Sequence, residues 1–226
     1  NRPDPVEHLA ALTLWPVYPW ELQRCFEQSF GPGLKRPARR TLTGQWMEVI
    51  ARTLDRRVLC GTCGQENFVT APALGSAGGS LRSWAGDQGV AGPSPVQAAG
   101  ADSERPGGSG SSPGMSCPSL CWSCGASLAP GTWLRMAHGL VAAQAENVIH
   151  PHHFDAHMEL DLRHPVGRVV AHAGDRPLLG LENLSDSAWI AALKGGRQLT
   201  VQPQQRCNLA ATVGVRTGYG EIGVVR

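Results

Sequence analysis

The chain carries little net charge and has no long apolar run. Its 20 Lys and Arg against 18 Asp and Glu leave +2 over 226 residues. That excludes the broad basic footprint of a nucleic-acid binder or of a protein drawn to acidic lipid. No apolar stretch approaches the roughly 20 residues of a membrane-spanning helix, so no membrane partner is expected. The N-terminus, Asn1-Arg2-Pro3-Asp4-Pro5, has neither an initiator Met nor a secretory-signal pattern. It reads as the interior of a longer chain. No internal repeat is visible.

What the chain does have is two Cys-x-x-Cys-Gly knuckles, Cys60-Gly61-Thr62-Cys63-Gly64 and Cys121-Trp122-Ser123-Cys124-Gly125. Each puts two thiolates on one tight turn, and the Gly after the second Cys lets the backbone bend toward a metal. Two such turns facing each other supply the four sulfurs of a tetrahedral structural Zn²⁺ site. Ribbon knuckles usually sit roughly 15–20 residues apart, so the segment between these two reads as an insertion. A redox dithiol is the competing reading, but it lacks the βαβ pattern of a thioredoxin-like context. Seven Cys, four of them in knuckle spacing, favour metal-bound thiolates in a reducing compartment over a secreted disulfide framework. A cytoplasmic location is therefore expected. Cys117 is a candidate substitute ligand, whereas Cys25 and Cys207 read as core residues.

Residues 1–59 read as helical. Pro19 opens one helix, whose apolar stripe is Leu22, Cys25, Phe26 and Phe30 and which Gly31-Pro32-Gly33 stops. A second starts near Thr41 or Thr43 as cap, with Trp46, Val49, Ile50 and Leu54 as its stripe. Two short helices cannot bury both stripes against each other, which points to a larger absent body. Residues 70–116 are rich in Gly, Ser, Ala and Pro and are expected to be disordered. Gly75-Ser76-Ala77-Gly78-Gly79-Ser80 within them lacks the flanking strand and helix of a phosphate cradle. From 128 to 226 short apolar and alternating runs predict a small β-sandwich. A hairpin there turns at Gly195-Gly196, where both residues need positive φ. The fold class is thus α+β in several parts: helices over 1–59, a zinc ribbon over 60–69 and 117–127 interrupted by 70–116, and a β domain over 128–226.

The order of these parts resembles the C-terminal region of bacterial serine/threonine protein kinases linked to tellurite-resistance-type gene clusters. Three stretches carry the resemblance. They are Pro19-Trp20-Glu21-Leu22-Gln23-Arg24-Cys25-Phe26-Glu27-Gln28-Ser29-Phe30, Arg40-Thr41-Leu42-Thr43-Gly44-Gln45-Trp46, and Gly180-Leu181-Glu182-Asn183-Leu184-Ser185 followed by Trp189. In the second, Thr41 stands where the family has Pro. The resemblance implies that the N-terminal helices end a kinase lobe, which would pack on them. It implies that Arg40 pairs with a buried glutamate lying outside this chain, and that the β domain is similar to forkhead-associated domains. The chain has no Gly-rich loop followed by a strand Lys, no His-Arg-Asp loop and no Asp-Phe-Gly turn. Phosphoryl transfer needs Mg²⁺ ligands and a positioned base. ATP and Mg²⁺ would therefore belong only to a longer parent chain, and this polypeptide alone is expected not to phosphorylate anything.

The expected role is that of a non-catalytic regulatory and scaffold portion of such a kinase, meeting protein partners through its β domain. The alternative is a free-standing zinc-ribbon adaptor that binds protein or nucleic acid. Phosphothreonine binding by the β domain would call on Gly167-Arg168, His172, Asn183 and Ser185, but no Ser lies between Arg168 and His172 where one is needed. Asn183 and Ser185 serve equally well as turn-stabilising residues. His150, His152, His153, Asp155 and His157 are a candidate metal cluster, with a polar turn between strands as the plainer reading. Lys35, Arg36, Arg39 and Arg40 read as a solvated basic loop, and nucleic acid is not an expected partner.

Overall fold

In the computed structural model the described residues are 4–69, 120–128, 131–155, 157–158, 160–172 and 178–226, and all belong to one compact unit. The segment expected to be disordered, 70–116, and Cys117 lie outside them. The described part is α+β, with short helices at the N-terminal end followed by three antiparallel sheets.

The helices are α1 (Leu9–Leu14), α2 (Trp20–Phe30), α3 (Pro32–Lys35) and α4 (Thr43–Asp55). Pro19, with φ −55° and ψ 143°, leads into α2. Where α2 stops, Pro32 restarts the chain as α3. Neither Thr41 nor Thr43 caps α4; Leu42 holds that position, and its N–H donates to Gln45 Oε1 at 2.9 Å. Thr41 is engaged elsewhere, because its hydroxyl donates to the Cys25 carbonyl and its N–H to Ser29 Oγ. These two bonds tie the start of α4 back to α2. The helices bury Cys25, Ser29, Ala51 and Thr53, while Phe30 and Leu34 are each 62% exposed and Ile50 and Leu54 are 43% and 46% exposed. Part of each apolar stripe therefore has no cover among the described residues.

A short hairpin, β1 (Arg57–Leu59) and β2 (Glu66–Phe68), follows α4 directly, so the end of the region read as helical is already strand. The remaining strands are β3 (Trp133–Arg135), β4 (Leu140–Ala142), β5 (Val148–Ile149), β6 (Gly167–His172), β7 (Leu178–Asn183), β8 (Trp189–Leu193), β9 (Gln198–Val201), β10 (Arg206–Asn208), β11 (Thr212–Arg216) and β12 (Glu221–Val225). They form a four-stranded sheet ordered β10-β7-β6-β5 and a six-stranded sheet ordered β4-β3-β12-β11-β8-β9. The β8–β9 hairpin turns through Gly195 and Gly196 at φ 86° and 81°, a conformation that side chains with a Cβ disfavour.

Both sheets contribute to one apolar core. Leu134, Val141, Trp189, Val201, Val215 and Ile222 come from the six-stranded sheet; Ile149, Val169, Leu181 and Cys207 come from the four-stranded sheet. Trp189 is fully buried, and its indole N–H donates to Ser185 Oγ at 3.0 Å. Gly167 lies against that ring so closely that a Cβ there would sit 2.7 Å from Trp189 Cη2. Trp189→Ala should destabilise the fold by about 3–5 kcal/mol through lost burial and a cavity. Gly167→Ala should cost about 1–3 kcal/mol through overpacking. Urea unfolding of both variants tests this, and a Trp189→Ala loss below about 1 kcal/mol would remove the indole from the centre of the core.

Candidate metal centre

The two knuckles are built alike. In the first, the Cys60 N–H donates to the Gln65 carbonyl at 2.9 Å and the Gly64 N–H to the Cys60 carbonyl at 2.8 Å. In the second, Cys121 N–H reaches the Ala126 carbonyl at 2.7 Å and Gly125 N–H the Cys121 carbonyl at 2.9 Å. Gly64 and Gly125 take φ 73° and 72°, the left-handed turn that a Cβ would strain. The glycines after each Cys pair therefore do what their placement suggested.

The turns face each other. Cys60 Sγ lies 3.6 Å from Cys124 Sγ, and Cys63 Sγ lies 3.6 Å from Cys121 Sγ. All four sulfurs are within 4.8 Å of one another. A tetrahedral ion bonded to sulfur at about 2.3 Å sets its ligands about 3.8 Å apart. Cys60, Cys63, Cys121 and Cys124 are thus close enough to hold a metal ion, and among the described residues no other group of three or more His, Cys, Asp or Glu has its ligand atoms so placed. Cys60 and Cys121 are buried, Cys63 and Cys124 exposed.

The electrostatics of the four thiols are uneven. Backbone N–H groups of Cys63 and Thr62 favour the Cys60 thiolate and lower its pKa. At Cys121 burial works against the thiolate. The N–H groups of Cys124 and Ser123, with the Asn67 side chain, outweigh it and bring the thiol down to about 6. At Cys124 the Ala126 N–H favours the thiolate. The neighbouring Cys63 sulfur, burial, and the Cys60 and Cys121 sulfurs override this and push the thiol up to about 12. Four thiolates cannot crowd together unless a cation neutralises them.

Two side chains missed by sequence reasoning join the knuckles. Asn67 is fully buried in β2; its Oδ1 accepts the Trp122 N–H at 3.2 Å, and its Nδ2 donates to the Gln65 carbonyl at 2.8 Å and to Cys121 Sγ at 3.6 Å. The Trp122 indole N–H donates to the Glu66 carbonyl at 2.9 Å. Asn67 carries no distinctive local signal, standing between Gln65-Glu66 and Phe68-Val69. Around the knuckles a second core gathers Val58, Cys60, Val69, Cys121 and Leu128 with Trp133 and Ala142 of β3 and β4. Asn147 Nδ2 strengthens this junction by donating to the carbonyls of Arg57 and Ala142 at 3.0 and 2.9 Å.

The other sequence-selected residues fall elsewhere. Arg40 is exposed, its Nε donating to the Gly33 carbonyl at 3.0 Å, and no carboxylate pairs with it among the described residues. Lys35, Arg36 and Arg39 are exposed as well. Asn183 is fully buried: its Nδ2 donates to the carbonyls of Ser187 and Val201, and its Oδ1 accepts from the N–H and hydroxyl of Ser185. Both residues brace the β7–β8 turn from inside. Arg168 donates to Glu182 at 2.8 Å, directly across the β6–β7 ladder. Cys25 and Cys207 are buried.

The histidine cluster is differently composed from the one the sequence suggested. Pro151–His153 forms a 3-10 turn that brings His150, His152 and His153 together, with the His152 and His153 ring centroids 4.1 Å apart. Its carboxylate is Asp55 of α4, and not Asp155, which is exposed and accepts the His157 N–H. His153 is 1% exposed; its Nδ1 accepts the His150 N–H at 2.9 Å, so Nε2 carries the proton toward Asp55 Oδ1 at 3.0 Å. The turn does lie between two strands, β5 and β6, and through His153 it is also a joint between α4 and the β-rich part. His150 Nδ1 and both nitrogens of His152 are buried without a hydrogen-bond partner among the described residues.

No family model matches the chain, and no curated protein or solved structure matches it either. No helix among the described residues is long and apolar enough to cross a membrane.

Metal analysis of the purified full chain should find about one tightly held ion, lost in Cys60→Ser or Cys124→Ser. A metal-free protein whose Cys60 and Cys63 cycle with dithiothreitol would overturn the four-sulfur site. The histidine joint predicts a pH dependence. Burial, and then the neighbouring His153, hold His152 at about 4, against an ordinary value of 6.5. The same causes lower His150, while Asp55 opposes them. The unfolded chain therefore takes up protons near pH 6.5 that the folded chain refuses. This contribution to stability is complete above about pH 6.5 and is lost as the pH falls toward 4. Urea midpoints should fall through that window, and less steeply in His152→Phe; an equally steep fall would exonerate the imidazole.

Proposed function

We propose that this chain is the non-catalytic, C-terminal regulatory and scaffold portion of a bacterial serine/threonine protein kinase. Structural zinc rigidifies its junction, and its β-rich part, similar to forkhead-associated domains, presents a surface to protein partners. The metal is zinc because four thiolates in a closed tetrahedron match its preference and leave no open position for hydrolytic chemistry. Its contribution is to folding.

The observation that carries the kinase reading is the uncovered apolar face of the helical end. Phe26, Phe30, Leu34, Ile50 and Leu54 are 40–62% exposed on elements otherwise packed into the fold. Large apolar side chains left exposed in this number call for a partner surface. The kinase lobe that the order of motifs implies would supply it, and would also supply the glutamate for Arg40. The buried Asn183 and half-buried Ser185, bonded to each other, favour an interaction domain that does not use these two residues to hold a phosphopeptide.

The intact mass of the native gene product from its own host tests this reading. A mass about 20–30 kDa above the 24.0 kDa of this chain, the size of the missing lobes, is expected. A mass near 24.0 kDa would overturn it in favour of a free-standing zinc-ribbon adaptor, whose apolar helical face serves another protein.

A further inference from the structure

We propose that Asn67 is a positioning residue for the metal centre, setting how tightly the second knuckle holds its ion through a side-chain N–H bond to the Cys121 sulfur. The inference rests on the four-thiolate reading of the site and assigns a role to a residue that supplies no ligand.

The carboxamide suits this place because it has both a donor and an acceptor. Its orientation is fixed by the network: the Trp122 N–H can only donate, so Oδ1 faces it, and the Gln65 carbonyl can only accept, so Nδ2 faces that. The second N–H of Nδ2 is then left pointing at Cys121 Sγ, 3.6 Å away. Asn67 is 0% exposed and Cys121 3% exposed, so water does not replace the bond if it is removed. The contact spans 54 positions of sequence. It also runs from one knuckle to the other, whereas the backbone donors at Cys60 and Cys121 come from each sulfur's own turn. An N–H donated to a metal-bound thiolate draws charge from the sulfur, so the thiolate competes better against a proton for the ion. The Oδ1 bond meanwhile fixes the angle at which the Cys121 turn presents that sulfur. Partners behind the ligands commonly contribute about 10- to 100-fold in metal affinity.

The test is zinc affinity by chelator competition on the full chain, together with the absorption spectrum of the cobalt-substituted protein. Asn67→Ala should weaken zinc binding about 10- to 100-fold. Asn67→Asp keeps an acceptor for the Trp122 N–H but faces the sulfur with a lone pair. It should weaken binding at least as much and shift the thiolate-to-cobalt charge-transfer band. Trp122→Phe removes the indole bond to the Glu66 carbonyl at the same joint and should leave that band in place. If Asn67→Ala fails to fold, Asn67→Asp and the cobalt band decide the matter. Wild-type affinity and an unshifted band in Asn67→Asp would overturn the assignment while leaving the metal site standing. A wild-type chain that takes up neither zinc nor cobalt would overturn the four-thiolate reading itself, and the assignment with it.

Discussion

The fold turns on bringing four sulfurs to one point from two ends of a long excursion. Cys63 and Cys121 are 58 positions apart, against a usual ribbon spacing of roughly 15–20. Closing the longer loop costs about 1 kcal/mol more, since the entropy grows only with the logarithm of length. Asn67, the Trp122 indole and the apolar cluster from Val58 to Trp133 lie where they can offset that sum. The four-cysteine cluster is therefore embedded in a packed joint, and the second core makes the knuckles continuous with β3 and β4.

The helices and the β-rich part are joined by polar contacts of a kind that resists sliding. Asp55 meets His153, and Asn147 reaches the Arg57 carbonyl. Each is a buried or partly buried group with a directional partner, and removing one partner leaves the other unsatisfied. Apolar packing alone tolerates small shifts; these bonds specify one arrangement. The stacked His150 and His152 imidazoles complete the joint, and burial favours their neutral form, which makes the joint sensitive to acid.

What was legible in the sequence was what is encoded locally. The knuckles were visible because a thiolate turn needs Cys, Cys and Gly within five positions, and the Gly195-Gly196 hairpin because two positive-φ residues have few substitutes. Contacts across long separations were not visible. Asp155 was grouped with the histidines because it is near them in sequence, yet the carboxylate that folding delivers, Asp55, lies 98 positions from His153. Asn67 escaped notice for the same reason: two of its polar partners, Cys121 Sγ and the Trp122 N–H, belong to a turn 54 and 55 positions away. Thr41 was a reasonable helix cap on local grounds, but tertiary bonds to Cys25 and Ser29 claimed its side chain and amide.

The ribbon's seat on β4 bears on association as well as on folding. β4 is the terminal strand of the six-stranded sheet, and an unprotected terminal strand offers its backbone as a template to other chains. Here its Ala142 carbonyl is taken by Asn147, and Ala142 itself is buried beneath ribbon residues. The other sheet ends in β5 and β10, two and three residues long, too short to recruit a neighbour readily. Residues of the knuckles thus guard part of a sticky margin, and loosening them would bear on solubility as well as on shape.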